Sequence, residues 1–117
     1  METLEFEKEM IKQFHAIVTN EGLSTPFCVY HKYFWFRNGY ILSILQGMKD
    51  KGFHSGESTF EVALLKHVFV TEDGKSRGTK VKKGPFKEDV LGWQTVFDIL
   101  KLSERVNAWN PVQIEVI

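Results

Sequence analysis

One cysteine, Cys28, occurs in 117 residues, and that scarcity closes several routes at once. A lone thiol excludes an internal disulfide, and neither a CxxC pair nor closely spaced His and Cys residues provide a zinc site. A reducing compartment is the expected setting. Charge of one sign is also missing: fifteen basic and fifteen acidic residues cancel. No global field then draws the chain to nucleic acid or a membrane, and any such argument must rest on local segregation. No apolar run approaches the roughly 18 residues that span a bilayer. The acidic start METLEFEKEM lacks the positive region and apolar core of a signal peptide. The expectation is a cytoplasmic protein without a membrane partner. Reaction motifs are lacking too: there is no nucleophile with its base, no paired carboxylates and no metal spacing. Gly74, Gly78 and Gly84 are too widely spaced for a phosphate loop and lack its GK[ST] ending. This predicts a protein that is not an enzyme and needs no cofactor or metal. The residual catalytic candidate is a thiolate pair of Cys28 with His15, His31, His54 or His67, against the commoner role of a strand cysteine as a small buried hydrophobe.

What is present suffices for one domain, residues 1–117. Apolar residues make up 43% of the chain and aromatic ones 14%, which argues against disorder and for a core that closes without staples. The longest β-prone run is Thr59 to Thr71. Phe60, Val62, Leu64, Val68 and Val70 share one parity in it, so as a strand they face one side, the core. Lys66 breaks that parity beside His67, which predicts a bulge or an edge there. Asp73-Gly74 is a strong hairpin signal. As a two-residue loop it sets Thr71 opposite Ser76, Val70 opposite Arg77 and His67 opposite Lys80, with a polar return strand from Ser76 to Lys82.

Around this hairpin, Thr3 to Asn20 has helical spacing (Met10, Ile11, Phe14, Ile17, Val18) and early glutamates that suit a helix N-terminus. Phe27 to Phe36 reads as a strand with contacts on both faces or at an interface. Its Tyr30, Tyr33 and Trp35 are candidate aromatic contacts that could stack bases, with core packing as the more frequent use of such a run. Asn38 is placed to cap a second helix, Gly39 to Lys51, with Ile41, Leu42, Leu45 and Met48 on one face and Gly52 as its stop. Phe53 to Ser58 is a polar loop. Thr95 and Asp98 form a capping-box variant opening a helix from Val96 to Asn107. A rival start near Lys87 would carry Gly92 in mid-helix at a cost of roughly 1 kcal/mol. Val112, Ile114 and Val116 alternate as a final strand after Asn110-Pro111. The expected fold is α+β, a small mainly antiparallel sheet with three helices on one face, in the order α-β-α-β-β-α-β.

The segment Thr59 to Leu102, with its FEVALL strand, polar hairpin and DVLGWQTVFDIL, resembles small phage-encoded accessory proteins in which a strand hairpin leads to a VIGY-like turn and a helix. The resemblance implies a phage or mobile-element origin and an α+β layout rather than an activity, and it leaves the first helix and the aromatic strand uncovered.

The most unusual local feature is Lys75, Arg77, Lys80, Lys82, Lys83 and Lys87, six bases with no acid between Gly74 and Lys87. On the expected register both faces of the arm are basic, which predicts that Lys75 to Lys83 is solvent-exposed. Such a run can be a solvated edge that resists strand pairing, a site for an acidic host protein, a phosphate-binding arm, or the partner of the acidic first helix in a homodimer. The absence of reaction motifs beside these aromatic and basic features predicts a binding protein. An accessory or inhibitor that occupies a host protein, for example a defence nuclease, is the first reading; a nucleic-acid binder using residues 75–87 is the alternative.

Overall fold

The computed structural model describes residues 3–20, 26–70, 76–80, 90–111 and 115–116, and for residues 3, 67–70, 76–80 and 115–116 the backbone alone. The chain is α+β. Its elements are α1 (Thr3–Phe14), β1 (Ile17–Asn20), β2 (Cys28–Trp35), β3 (Tyr40–Gly47), β4 (Phe60–Val70), β5 (Ser76–Lys80), β6 (Val90–Gln94), α2 (Val96–Asn107) and β7 (Glu115–Val116). The antiparallel path runs β1-β2-β3-β4-β5. β4 is the hub: β3 takes one edge, while β6 and β5 lie end to end along the other, pairing Ala63 with Val90 and Leu65 with Lys80. β7 joins β4 in parallel at Phe69 and Val70.

The parity expected of β4 holds where side chains are described, since Phe60, Val62 and Leu64 are all buried in the core. The irregularity expected near Lys66 and His67 is a register shift between His67 and Phe69. The hairpin register also differs from the expected one. Val70, not Thr71, pairs with Ser76, so Arg77 sits opposite Phe69 and Lys80 opposite Leu65. The bulge between His67 and Phe69 shifts the pairing once more. The loop itself, residues 71–75, lies outside the described residues, as do Val81 to Asp89 and the start of the predicted final strand.

Two expected helices are corrected. The first ends at Phe14 rather than Asn20, because His15 takes a left-handed φ of 54° and turns the chain into β1. Ile17, Val18 and Thr19 are β-branched and favour the strand once a partner exists; they pair with Trp35, Phe34 and Tyr33. The second expected helix is β3. Its apolar run fits either period, and the Asn38-Gly39 pair decides for a hairpin: Gly39 adopts φ 91°, and Phe36 N–H donates to Tyr40 O at 2.8 Å across the turn. Asn38 therefore caps no helix start. Its amide instead donates to the carbonyls of Val106 (2.6 Å) and Trp109 (3.2 Å), closing the far end of α2. Among the described residues two helices, not the three expected, thus cover the sheet. β6, which sequence patterning leaves as a connection, pairs with the first half of β4.

The remaining helix, α2, matches its local signals. Thr95 Oγ1 accepts from Asp98 N–H (3.1 Å) and an Asp98 carboxylate oxygen accepts from Thr95 N–H (3.0 Å), and these bonds hold the Asp98 carboxyl below its ordinary value. Between the helices and the sheet, Phe6, Met10, Phe34, Ile44, Ile99 and Val106 are fully buried. The hydroxyl of the buried Ser103 donates to Ile99 O at 2.7 Å, so its burial leaves that donor satisfied.

Candidate binding face

Because strand residues alternate, the side chains that do not meet the helices share the opposite face. Their register defines three rows: Ile17, Trp35, Ile41, Leu65; Thr19, Tyr33, Ser43, Ala63; and His31, Leu45, Glu61. Of the described residues in these rows Glu61 alone carries a full formal charge at neutral pH. Ile17 is 66% exposed at the margin, whereas Ile41, the partner of both Trp35 and Leu65, is fully buried. The rings along β2 are held in place: His31 lies edge-on to Tyr33 at 5.4 Å and Tyr33 is tilted against Trp35 at 6.3 Å. Trp35 Nε1–H donates to Thr19 Oγ1 at 2.7 Å, and His31 Nε2 is 3.0 Å from Ser43 Oγ. This is a surface of half-buried, amphipathic rings pre-set by polar handles, the composition found at the centres of protein interfaces.

The three aromatic candidates are thereby separated. Tyr33 and Trp35 lie on this face, but Tyr30 lies on the other, under α1. Its hydroxyl donates to Glu7 Oε1 at 2.9 Å, its ring meets Phe60 edge-on at 5.6 Å, and Lys32 Nζ reaches the same Glu7 oxygen at 2.5 Å. Burial, then the hydrogen bond to Glu7, then its negative charge push the Tyr30 phenol well above its ordinary value. A phenol whose folded value is raised adds stability that is complete below the unfolded value of 10.0 and lost as pH climbs past it. Burial pushes Tyr40 the same way. The urea midpoint is therefore expected to fall steadily above that pH in the wild type, and to fall less steeply in Tyr30→Phe. Equal slopes for the two proteins would show that the buried phenol contributes nothing.

The basic candidates are placed only in part. Arg77 and Lys80 belong to β5, where Lys80 extends the row of Trp35 by pairing with Leu65; Lys75, Lys82, Lys83 and Lys87 lie outside the described residues, and with them the exposure expected of the arm. Cys28 is buried beside its pairing partner Gly47. Of the histidines offered as its base, His31 contacts Ser43 and Tyr33, while His54 stacks on Trp93. Among the described residues no group of three or more His, Cys, Asp or Glu could hold a metal ion, and no helix is long and apolar enough to cross a membrane.

A cleft of about 740 Å³ adjoins the face at Val29, the residue skipped by the β2 bulge. Met48 and Phe53 supply apolar lining, and Lys49, Asp50 and Glu57 also contribute to its walls. Its loop is built by one amide: Gln46 Nε2 lies within 3.3 Å of the carbonyl oxygens of Gly56, Glu57 and Thr59. Gly47 N–H donates to Ser55 Oγ at 3.0 Å. Sequence reasoning passed over the cleft, placed Ile17 in the first helix and offered His31 only as a base for Cys28. The spacing of His31, Tyr33 and Trp35, alternating with Tyr30, Lys32 and Phe34, is the signal that separates the two faces once a strand is assumed. No family model matches the chain, and no curated protein or solved structure matches it either.

Proposed function

We propose that the chain is a non-enzymatic binding protein that docks a partner protein on the face of Ile17, His31, Tyr33 and Trp35. The supporting observation is that from β1 to β4 these rows hold one charged residue, Glu61, and ordered aromatic rings, a composition costly to leave in water yet suited to an interface centre. The resemblance to phage-encoded accessory proteins makes a host protein, such as a defence nuclease, the partner to seek. A phosphate-binding use of the basic run is the rival, favoured by the place of Lys80 at the end of the Trp35 row; self-association of acidic α1 with that run is another.

Affinity purification from a nuclease-treated host lysate, followed by titration of the purified partner, separates these. Ile17→Glu is expected to weaken that partner about tenfold or more, as charge at an apolar contact does. Its unfolding midpoint should stay near that of the wild type, because Ile17 is largely exposed. Capture that disappears with nuclease and binding that falls steeply with salt would replace this reading with the nucleic-acid one. Sedimentation at twice the chain mass, lost when Glu5 and Glu9 become Lys, would identify the homodimer. Unchanged affinity of Ile17→Glu and of Trp35→Ala would remove the face from the function.

A further inference from the structure

We propose that His54 and Trp93 form a latch that holds the β3–β4 loop closed along the cleft. The loop supplies Met48, Lys49, Phe53, Ser55 and Glu57 to the lining. Gln46 and Ser55 fasten its base, and His54 fastens it to two strands beyond. His54 N–H donates to Glu61 Oε1 on β4 at 2.8 Å, and Nδ1 of the ring lies 3.7 Å from the same oxygen. His54 O accepts from Trp93 N–H on β6 at 2.7 Å, while the two rings stack with centroids 5.2 Å apart and planes at 25°. The neighbour Gly92 is matched to this contact, since a Cβ there would lie 2.8 Å from His54 Cβ.

Trp93 is what makes the contact a latch rather than another bracket. Its φ is 51°, a left-handed value that a bulky residue adopts only under constraint. Burial is not that constraint, because Trp93 is 60% exposed. The constraint is the β6 bulge, which sets Gly92 and Trp93 between the pairs Val62–Leu91 and Phe60–Gln94, together with the bond and stack to His54. The bulge presents the Trp93 N–H and ring to the loop, so the loop closes against a surface that β6 fixes in advance. The loop held in this way supplies the wall of the cleft, so the latch keeps that wall in place.

Limited trypsin digestion reads the loop directly, at the exposed Lys49 and Lys51. His54→Ala and Trp93→Gly each remove one ring of the stack, and the glycine also removes the left-handed strain. Both should raise cleavage after Lys49 and Lys51 about tenfold over wild type, as loss of a local closing contact does, with cleavage after Lys8 and Lys12 of α1 unchanged. Trp93→Phe, which keeps a ring, should restore the slow rate. Wild-type cleavage in both ring-deletion variants would overturn the latch and leave Gln46 and Ser55 as the loop's whole fastening. So would an equal rise at the α1 sites, which would mean global opening, or a Trp93→Phe variant cut as fast as Trp93→Gly.

Discussion

Phe6→Ala is expected to lose about 3–5 kcal/mol of folding stability, the range for truncating a fully buried aromatic ring. Phe6 is the α1 side chain that meets rings of two strands. It is fully buried, its ring lies 5.5 Å from that of Phe34 on β2, and it is stacked at 6.5 Å on that of Phe60 on β4. Removing it opens a void between a helix and two strands that cannot slide together, because β2 and β4 are held apart by β3. A domain of this size has roughly 5–15 kcal/mol in total, so the loss should appear as a large drop in the urea midpoint with the slope of the transition little changed. A loss below about 1 kcal/mol, the scale of surface substitutions, would mean that α1 is not packed as described.

Gly47→Ala is expected to cost about 1–3 kcal/mol, the range for forcing atoms into occupied space. A Cβ at Gly47 would lie 2.0 Å from Phe53 Cδ2, so the ring must leave its place against the β3 backbone. Its departure also disturbs the cleft, which both residues line. The double variant Gly47→Ala with Phe53→Ala isolates the clash: it should be no less stable than Phe53→Ala alone, because the offending ring is gone. A further loss in the double variant would place the cost in the backbone of β3 instead.

The contrast between α2 and β3 explains how far the sequence could be read. The start of α2 at Val96 follows from the chain because Thr95 and Asp98, three residues apart, exchange hydrogen bonds at that end without help from elsewhere. The inward parity of Phe60, Val62 and Leu64 is legible for a similar reason, since alternation is a property of one strand. Tyr40 to Gly47 is different. Its apolar residues fit a helical stripe or a strand buried on both faces, and pairing with Phe34 and Leu64 through Leu42, closed at one end by the Asn38-Gly39 turn, selects the strand. Ile17 to Asn20 and Val90 to Gln94 are likewise strands by virtue of partners far away in sequence.

The candidate face divides along the same line. Its aromatic residues are visible as a cluster in the chain, and so is the basic run that follows Asp73-Gly74. That Tyr33 and Trp35 belong to the open face while Tyr30 is tied to Glu7 beneath α1 depends on which side of the sheet the helices occupy. The sequence by itself determined the α+β class, the helix α2 and the inward side of β4, because each rests on hydrogen bonds or alternation within a few residues. The tertiary structure alone decided the number of helices, the register of β5 and the composition of the open face. Those depend on backbone groups and apolar surfaces that meet only when distant segments pair.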